Sequence, residues 1–365
     1  MEREIQSRLL DDVVARINAK IIAGEIDSSC ASDFVDSALD DAIGNLYGGI
    51  AGAPLKVARK IDQRVAASRI RERHIQDLIE SRWCSIFRRY EKCIAQAERI
   101  NQSMEESYIS WIRDDPGSFE DCRRRHLICL QMINLQARGR LIASEVLALV
   151  RAGFEGGASA RTRTLQEIVT VAGIIAQDRT GELADRFNDS GVFEWLKSWR
   201  AHKGCCDLQE TDEDYIEARE TERRVIGRWG KEIREQNGWA RPAFQGQVRL
   251  GQPIRFTDME RLAGTHGLRA QYLDGNHEIH SGPLSVINHA DLENGTLSFN
   301  RRREGEKSVE RVGGILGHSA RLLDLLSHIS CRALVGTTQG FDEMYEVGQL
   351  SHIVNLLFRR IASMR

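Results

Sequence analysis

The residues best suited to chemistry are charged side chains in the segment from Ala158 to Ala176, which otherwise has the sequence of an apolar helix. On a 3.6-residue period its apolar residues form two adjacent stripes, one of Leu165, Ile168, Ala172 and Ile175 and one of Val171 and Ile174. Arg161 lies in line with the first stripe, and Arg163 and Glu167 lie in line with the second, four residues apart and able to pair. A helix that is apolar on two sides is predicted to be buried. Buried charges must be paired with opposite charges or used in binding or catalysis. The segment therefore predicts a polar centre inside a helical core.

A second polar group runs from Tyr272 to Ser281 and contains His277 and His280. Because the unperturbed pKa of histidine lies near neutrality, His280 is the first candidate for a general base. A nearby arginine could bind phosphate or stabilise transition-state charge, and Glu167 could orient the histidine or the arginine. The candidate catalytic residues are therefore Arg161, Arg163, Glu167, His277 and His280, and the candidate binding residues are Tyr272, Ser281, Arg301 and Arg302. The alternative is a buried ion-pair network that fixes how two helices pack.

Arg301 and Arg302 belong to a run of three arginines that ends at Arg303, in a segment predicted to be a polar loop. Such a run could contact nucleic acid or phosphate. The acidic neighbours Glu304 and Glu306 dilute its charge, so a solvated loop is the alternative interpretation.

Two arginine–histidine pairs, Arg261 with His266 and Arg321 with His328, have the spacing R-x4–6-H. This spacing resembles the motif of the HEPN class of ribonucleases. The resemblance implies that arginine and histidine act on the RNA phosphate and the 2′-hydroxyl. In both pairs a leucine follows the arginine, where that class usually has a polar residue, so a solvated arginine and a helix-face histidine are the favoured interpretation.

The composition is that of a soluble globular protein, with 365 residues of which 41% are hydrophobic and 28% charged. This length fits one large domain or two smaller ones. The net charge of −2 excludes a molecule that is basic overall, although it allows a local basic face. Eight cysteines form no C-x-x-C pair, and the histidine spacing predicts no metal site. No particular cofactor is indicated.

The localisation is predicted to be cytoplasmic, without a membrane partner. The N-terminus is polar from Glu2 onward and does not resemble a signal peptide. The most apolar stretch, residues 141–150, contains Glu145 and is too short to cross a bilayer.

Apolar periodicity and capping residues predict a mainly α fold, a multi-helix bundle with a long irregular connector and one short β-hairpin. Helices are predicted at about 2–23, 32–43, 55–112, 118–152, 158–176, 179–200, 211–236, 257–263, 268–280, 307–334 and 340–363. Residues 44–54 form a glycine-rich turn, residues 239–256 the irregular connector, and residues 296–299 part of the hairpin. We expect an N-terminal helical extension at 1–60 and a helical domain at 61–365.

Three segments of the second domain follow one another in a specific order and spacing. They are Val150–Ala158 leading into Arg161–Glu167, then Asn237–Ala240, and finally Phe256–Glu260 followed by Tyr272 and His277–Pro283. Together they resemble the DUF5677 family of uncharacterised helical proteins. The resemblance covers about residues 70–335 and makes residues 61–365 a DUF5677-like domain. It implies a helical domain and no established reaction.

We therefore predict a prokaryotic effector or toxin-like protein, of a phage-defence type, that acts on RNA or nucleotides through an Arg/Glu/His centre. As an enzyme it would be a metal-independent ribonuclease or nucleotide hydrolase. The alternative is a non-catalytic helical interaction or scaffold protein whose cluster is structural. The amphipathic helix at 2–23 is expected to mediate a homo-oligomer or to bind a partner.

Overall fold

The computed structural model describes residues 55–114, 119–203, 206, 209–244, 246, 248, 251–279, 290–293, 296–299, 306–338 and 341–364. The chain divides into two compact units, residues 1–74 and residues 75–365. Only residues 55–74 of the first unit are described. The helices predicted at 2–23 and 32–43, and the turn at 44–54, lie outside the described residues, so the boundary near residue 60 stays a prediction.

Helices make up most of the described chain, which confirms the prediction of a mainly α fold. They are α1 (Leu55–Asp114), α2 (Phe119–Arg151), α3 (Glu155–Ile175), α4 (Glu182–Lys203), α5 (Glu213–Trp229), α6 (Phe256–Ala263), α7 (Arg269–Ile279), α8 (Glu306–Thr338) and α9 (Phe341–Ala362). Short 3-10 helices cover Lys231–Arg234, Gly238–Phe244 and His266–Leu268. Strands β1 (Ala290–Glu293) and β2 (Thr296–Phe299) pair antiparallel, with Ala290 opposite Phe299.

The centre of the second unit is α3, which packs against α2, α7 and α8. Its residues Leu165, Ala172 and Ile174 are fully buried, as the two-stripe pattern predicts for a helix covered on several sides. Removing such side chains from water supplies the main driving force for the fold. The charged positions on α3 must therefore lie where this helix meets its neighbours.

Some helix ends differ from the prediction, and backbone geometry explains why. Helix α5 ends at Trp229 rather than near residue 236, because Gly230 has φ 86° and leads into a 3-10 turn. Helix α6 begins at Phe256 rather than at residue 257, so Thr257 and Asp258 both lie in its first turn. There the Asp258 carboxylate accepts a hydrogen bond of 3.0 Å from the Arg255 backbone N–H.

Candidate functional site

Three residues of the predicted polar centre meet where α3 contacts α7. The Arg163 Nη2 atom lies 3.0 Å from Oε1 of Glu167 and donates a hydrogen bond of 2.9 Å to the Tyr272 hydroxyl. The Tyr272 hydroxyl in turn donates to Glu167 Oε1 at 3.0 Å. The Arg163 guanidinium also lies over the Tyr272 ring, 4.8 Å from its centroid. The predicted pair of Arg163 with Glu167 is confirmed, and Tyr272 closes it into a three-membered network.

Burial shapes the chemistry of Tyr272, which is only 8% exposed. Desolvation raises the pKa of its phenol above the ordinary value, and the hydrogen bond from Arg163 opposes part of that rise. The phenol therefore stays protonated near neutral pH and acts as a donor to Glu167. The Phe256 ring stacks on Tyr272 with centroids 5.0 Å apart, which fixes the orientation of the tyrosine ring.

Gly275 allows α7 to lie close enough to α3 for this network to form. A Cβ atom at position 275 would lie 2.7 Å from the backbone oxygen of Ser159 and 2.9 Å from Cβ of Arg163. Real Cβ atoms do not approach backbone so closely, so any other residue would push the helices apart.

Arg161 does not join the network. Its Nε atom forms an ion pair with Glu145 on α2, so the two arginines of α3 serve different helix contacts. The side chains of Arg161 and Glu145 are both about one-third exposed. Exposed ion pairs of this kind contribute little to stability.

A cavity of about 540 Å³ lies beside these contacts, between α3, α7, α8 and α9. Its lining residues are Ser159, Thr162, Leu268, Gln271, Asp274, His277, Arg311, Gly314, Ile315, His318, Arg321 and Phe358. His277 is the one candidate catalytic residue that lies in this lining, among the residues that the structure describes. The cavity thus joins His277 to charged residues that were not assigned to the centre from the sequence.

Three lining residues that the sequence did not assign to the site could bind a ligand or transfer a proton, and all three lie on α8. Arg311, His318 and Arg321 are spaced seven and three residues apart, which places them on one face of a helix. The sequence alone shows this spacing. The same face also carries apolar residues such as Ile315, so the pattern does not distinguish a cavity wall from a face packed in the core. Only the packing of α8 against α3 and α7 shows that this face borders a cavity.

A buried polar chain leads from His318 away from the cavity. The His318 Nε2 atom lies 3.4 Å from Oε1 of Gln166, whose Nε2 donates a hydrogen bond of 3.0 Å to Oε1 of Glu260. Arg269 donates to the other oxygen of Glu260 through Nη1. Gln166 and Glu260 are fully buried, so the chain replaces hydrogen bonds to water that these groups have lost.

The surroundings of His318 favour its neutral form. Burial, and next the positive charge of Arg321, lower the pKa of its imidazole to about 4. A histidine that is neutral at pH 7 has one ring nitrogen that donates and one that accepts. His318 can therefore act as a proton or hydrogen-bond acceptor inside the cavity.

The two arginine–histidine pairs with R-x4–6-H spacing do not form pairs in the cavity. Arg321 lines the cavity, but His328 lies two turns further along α8, where its Nε2 is 2.9 Å from the Ser351 hydroxyl on α9. Arg261 forms an ion pair of 3.0 Å with Asp258 on the surface of α6. The histidine that shares the cavity with Arg321 is therefore His318.

Other candidates stay predictions. His280, Ser281, Arg301 and Arg302 lie outside the described residues. In the part of the chain that the structure describes, no group of three or more His, Cys, Asp or Glu side chains could hold a metal ion. No described helix is both long and apolar enough to cross a membrane.

The segment Asn237–Ala240 has a structural role. The Asn237 side chain donates a hydrogen bond of 2.9 Å to the backbone oxygen of Ile254, and its own backbone has φ 59°. Arg186 donates to the backbone oxygen of Trp239 at 3.1 Å, and the Trp239 ring packs edge-on against Phe187. These contacts hold the connector against α4.

Comparison with known families finds a match over part of the chain. Residues 131–297 match the model of DUF5677, a family of unknown function, which confirms the resemblance over those residues. The matched region contains α3 and α7 with the Arg163–Glu167–Tyr272 network, whereas Arg311, His318 and Arg321 follow it in the chain. Comparisons with curated proteins and with solved structures found no match.

Proposed function

We propose that the cavity between α3, α7, α8 and α9 binds a phosphorylated ligand of the nucleotide or RNA class. The observation that supports this most strongly is the presence of Arg311 and Arg321 in one cavity with His277 and His318. Arginine recognises phosphate through directional, charge-assisted hydrogen bonds. The cavity volume of about 540 Å³ falls within the range of small-molecule sites.

The charge of the lining also supports an anionic ligand. Asp274 is the one carboxylate among the described lining residues, set against the two arginines. The two arginines and Asp274 carry three formal charges, which sum to +1. A partly enclosed site strengthens such an excess because water screens it less than at an open surface.

Within this proposal the protein is an effector that acts on RNA or nucleotides in the cytoplasm. His277 and His318 would supply acid–base chemistry, and the arginines would hold the phosphate. Arg163 and Glu167 would act indirectly, because their network with Tyr272 holds the helix that carries His277 and Asp274. His280, Ser281, Arg301 and Arg302 are retained as candidates, and so is oligomerisation through the N-terminal helices.

The non-catalytic alternative, an interaction or scaffold protein, is favoured by one observation. Arg163, Glu167 and Tyr272 form hydrogen bonds and an ion pair with one another across the α3–α7 contact, as expected of a network that only stabilises the packing. On that hypothesis the cavity would have no ligand, and removing its charges would leave function unchanged.

The two hypotheses are separated by measuring binding of adenosine 5′-monophosphate and of a short single-stranded RNA by isothermal titration calorimetry. Arg321→Gln should weaken binding at least about tenfold, because a hydrogen bond to a charged group contributes about 1.5–3 kcal/mol. The matched control is Arg332→Gln, an exposed arginine of the same helix that does not line the cavity. Absence of wild-type binding to both probes, or equal affinities for the two variants, would refute the proposal.

A further inference from the structure

We propose that Glu260 fixes the tautomer of His318 through Gln166, so that the imidazole presents Nδ1 as an acceptor to the ligand in the cavity. The ligand half of this inference rests on the proposed function. The assignment of the His318 tautomer needs no ligand. It follows from the chain of hydrogen bonds that links Arg269, Glu260, Gln166 and His318.

The hydrogen-bond chain begins at the Glu260 carboxylate, which can only accept hydrogen bonds. Glu260 is fully buried, and one of its carboxylate oxygens forms an ion pair with the guanidinium of Arg269. A carboxylate paired with a guanidinium in this way is held in its ionised form. An ionised carboxylate has no proton to donate. Whatever lies against its second oxygen must therefore be a donor.

Gln166 on α3 must therefore donate a hydrogen bond to Glu260, and this requirement fixes the orientation of its side-chain amide. Its side-chain nitrogen lies 3.0 Å from Glu260 Oε1, which directs the amide NH₂ toward the carboxylate. The opposite amide orientation would place two acceptor oxygens against each other inside the protein, at the full cost of a buried unsatisfied pair. The amide oxygen of Gln166 must then face His318.

The His318 nitrogen that faces the Gln166 oxygen must therefore be the one that carries the proton. Its Nε2 atom lies 3.4 Å from the Gln166 oxygen, a long contact in which only an N–H on Nε2 is favourable. Among the residues that the structure describes, the charged groups in the lining of this cavity are Arg311 and Arg321 on the helix of His318 and Asp274 on α7. The neutral ring then has its lone pair on Nδ1.

The consequence for recognition is a division of roles within one cavity. Arg311 and Arg321 can only donate hydrogen bonds, whereas Nδ1 of His318 can only accept one. The site is therefore matched to a ligand that carries a hydrogen-bond donor, such as a sugar hydroxyl, together with its phosphate. Gln166 and Glu260 are positioning residues, since they act on the ligand only through His318.

The test is two-bond ¹H–¹⁵N correlation NMR on the full-length protein labelled with ¹⁵N-histidine at neutral pH, without ligand. The His318 resonance is assigned from its loss in His318→Gln. We expect the wild-type ring to be neutral with the proton on Nε2. In Glu260→Gln the new amide can donate to Gln166, so the tautomer should become mixed or shift to Nδ1–H.

The matched control is Glu222→Gln. Glu222 is also buried and paired with two arginines, Arg219 and Arg234, but it has no contact with the chain that leads to His318. This variant should leave the His318 tautomer unchanged. If Glu260→Gln does not fold, Gln166→Met removes the constraint from the middle of the chain and should also release the tautomer.

A wild-type His318 that carries its proton on Nδ1, or on both nitrogens, would overturn the inference. An unchanged Nε2–H tautomer in the folded Glu260 and Gln166 variants would also overturn it. Adenosine 5′-monophosphate and RNA are not needed for this experiment. Failure of both probes to bind would therefore refute the proposed function while the tautomer result remained separately readable.

Discussion

The hydroxyl of Tyr272 donates a hydrogen bond of 3.0 Å to Oε1 of Glu167, which joins α7 to α3, two of the helices that line the cavity. Glu167 is already paired with Arg163 one turn earlier on α3. The tyrosine therefore ties an ion pair within one helix to the neighbouring helix. This contact determines where α7 holds its cavity-facing residues.

Tyr272→Phe should lower the free energy of unfolding by about 1–2 kcal/mol, because it removes a hydrogen bond to a charged group and leaves Arg163 without its phenol partner. The measurement is urea unfolding at neutral pH. Tyr345→Phe is the control, since Tyr345 is 70% exposed and its loss of a hydroxyl should be nearly neutral. Equal effects of the two substitutions would show that the Tyr272 hydroxyl contributes nothing to stability.

Gly275→Ala should destabilise the protein by about 1–3 kcal/mol, because the added Cβ meets the Ser159 backbone and forces α7 away from α3. It should also weaken binding of a cavity ligand, since His277 and Asp274 move with α7. The control is Gly227→Ala on α5, where a Cβ meets no atom within 4 Å, and alanine there should be neutral or slightly stabilising. A Gly275→Ala protein as stable as the wild type would contradict the close approach of the two helices.

His318 should make the protein less stable in mild acid. Its pKa is about 4 in the folded protein, against an ordinary value of 6.5, because burial and Arg321 disfavour the charged ring. The unfolded chain therefore takes up the proton first as the pH falls. The stabilisation is complete above pH 6.5 and is lost progressively as the pH falls to about 4.

Urea unfolding at pH 7 and pH 5 measures this effect. His318→Gln should reduce the loss of stability between the two pH values, whereas His352→Gln, which removes an exposed histidine, should leave it unchanged. Identical pH dependence in the wild type and His318→Gln would mean that His318 does not titrate as described.

The parts of the site that the sequence predicted are those encoded locally. The pair of Arg163 and Glu167 follows from a four-residue spacing on one helix, and the burial of α3 follows from its two apolar stripes. These features need no knowledge of how other helices pack. The helix positions of the second unit were predictable for the same reason.

The cavity was not predictable because it depends on contacts between distant parts of the chain. Gln166 and His318 are 152 residues apart, and nothing in the local pattern of either helix pairs them. The partner of Arg161 likewise became clear only from the packing of α2, which places Glu145 beside it. The spacing of Arg321 and His328 indicated an arginine–histidine pair, but packing directs His328 toward Ser351 on α9 instead.

The most direct test of the central claim is a crystal structure of the protein with saturating adenosine 5′-monophosphate. We expect the nucleotide in the cavity between α3, α7, α8 and α9, with its phosphate within hydrogen-bonding distance of Arg311 or Arg321. An empty cavity at saturating nucleotide, or a nucleotide bound only elsewhere on the protein, would contradict it.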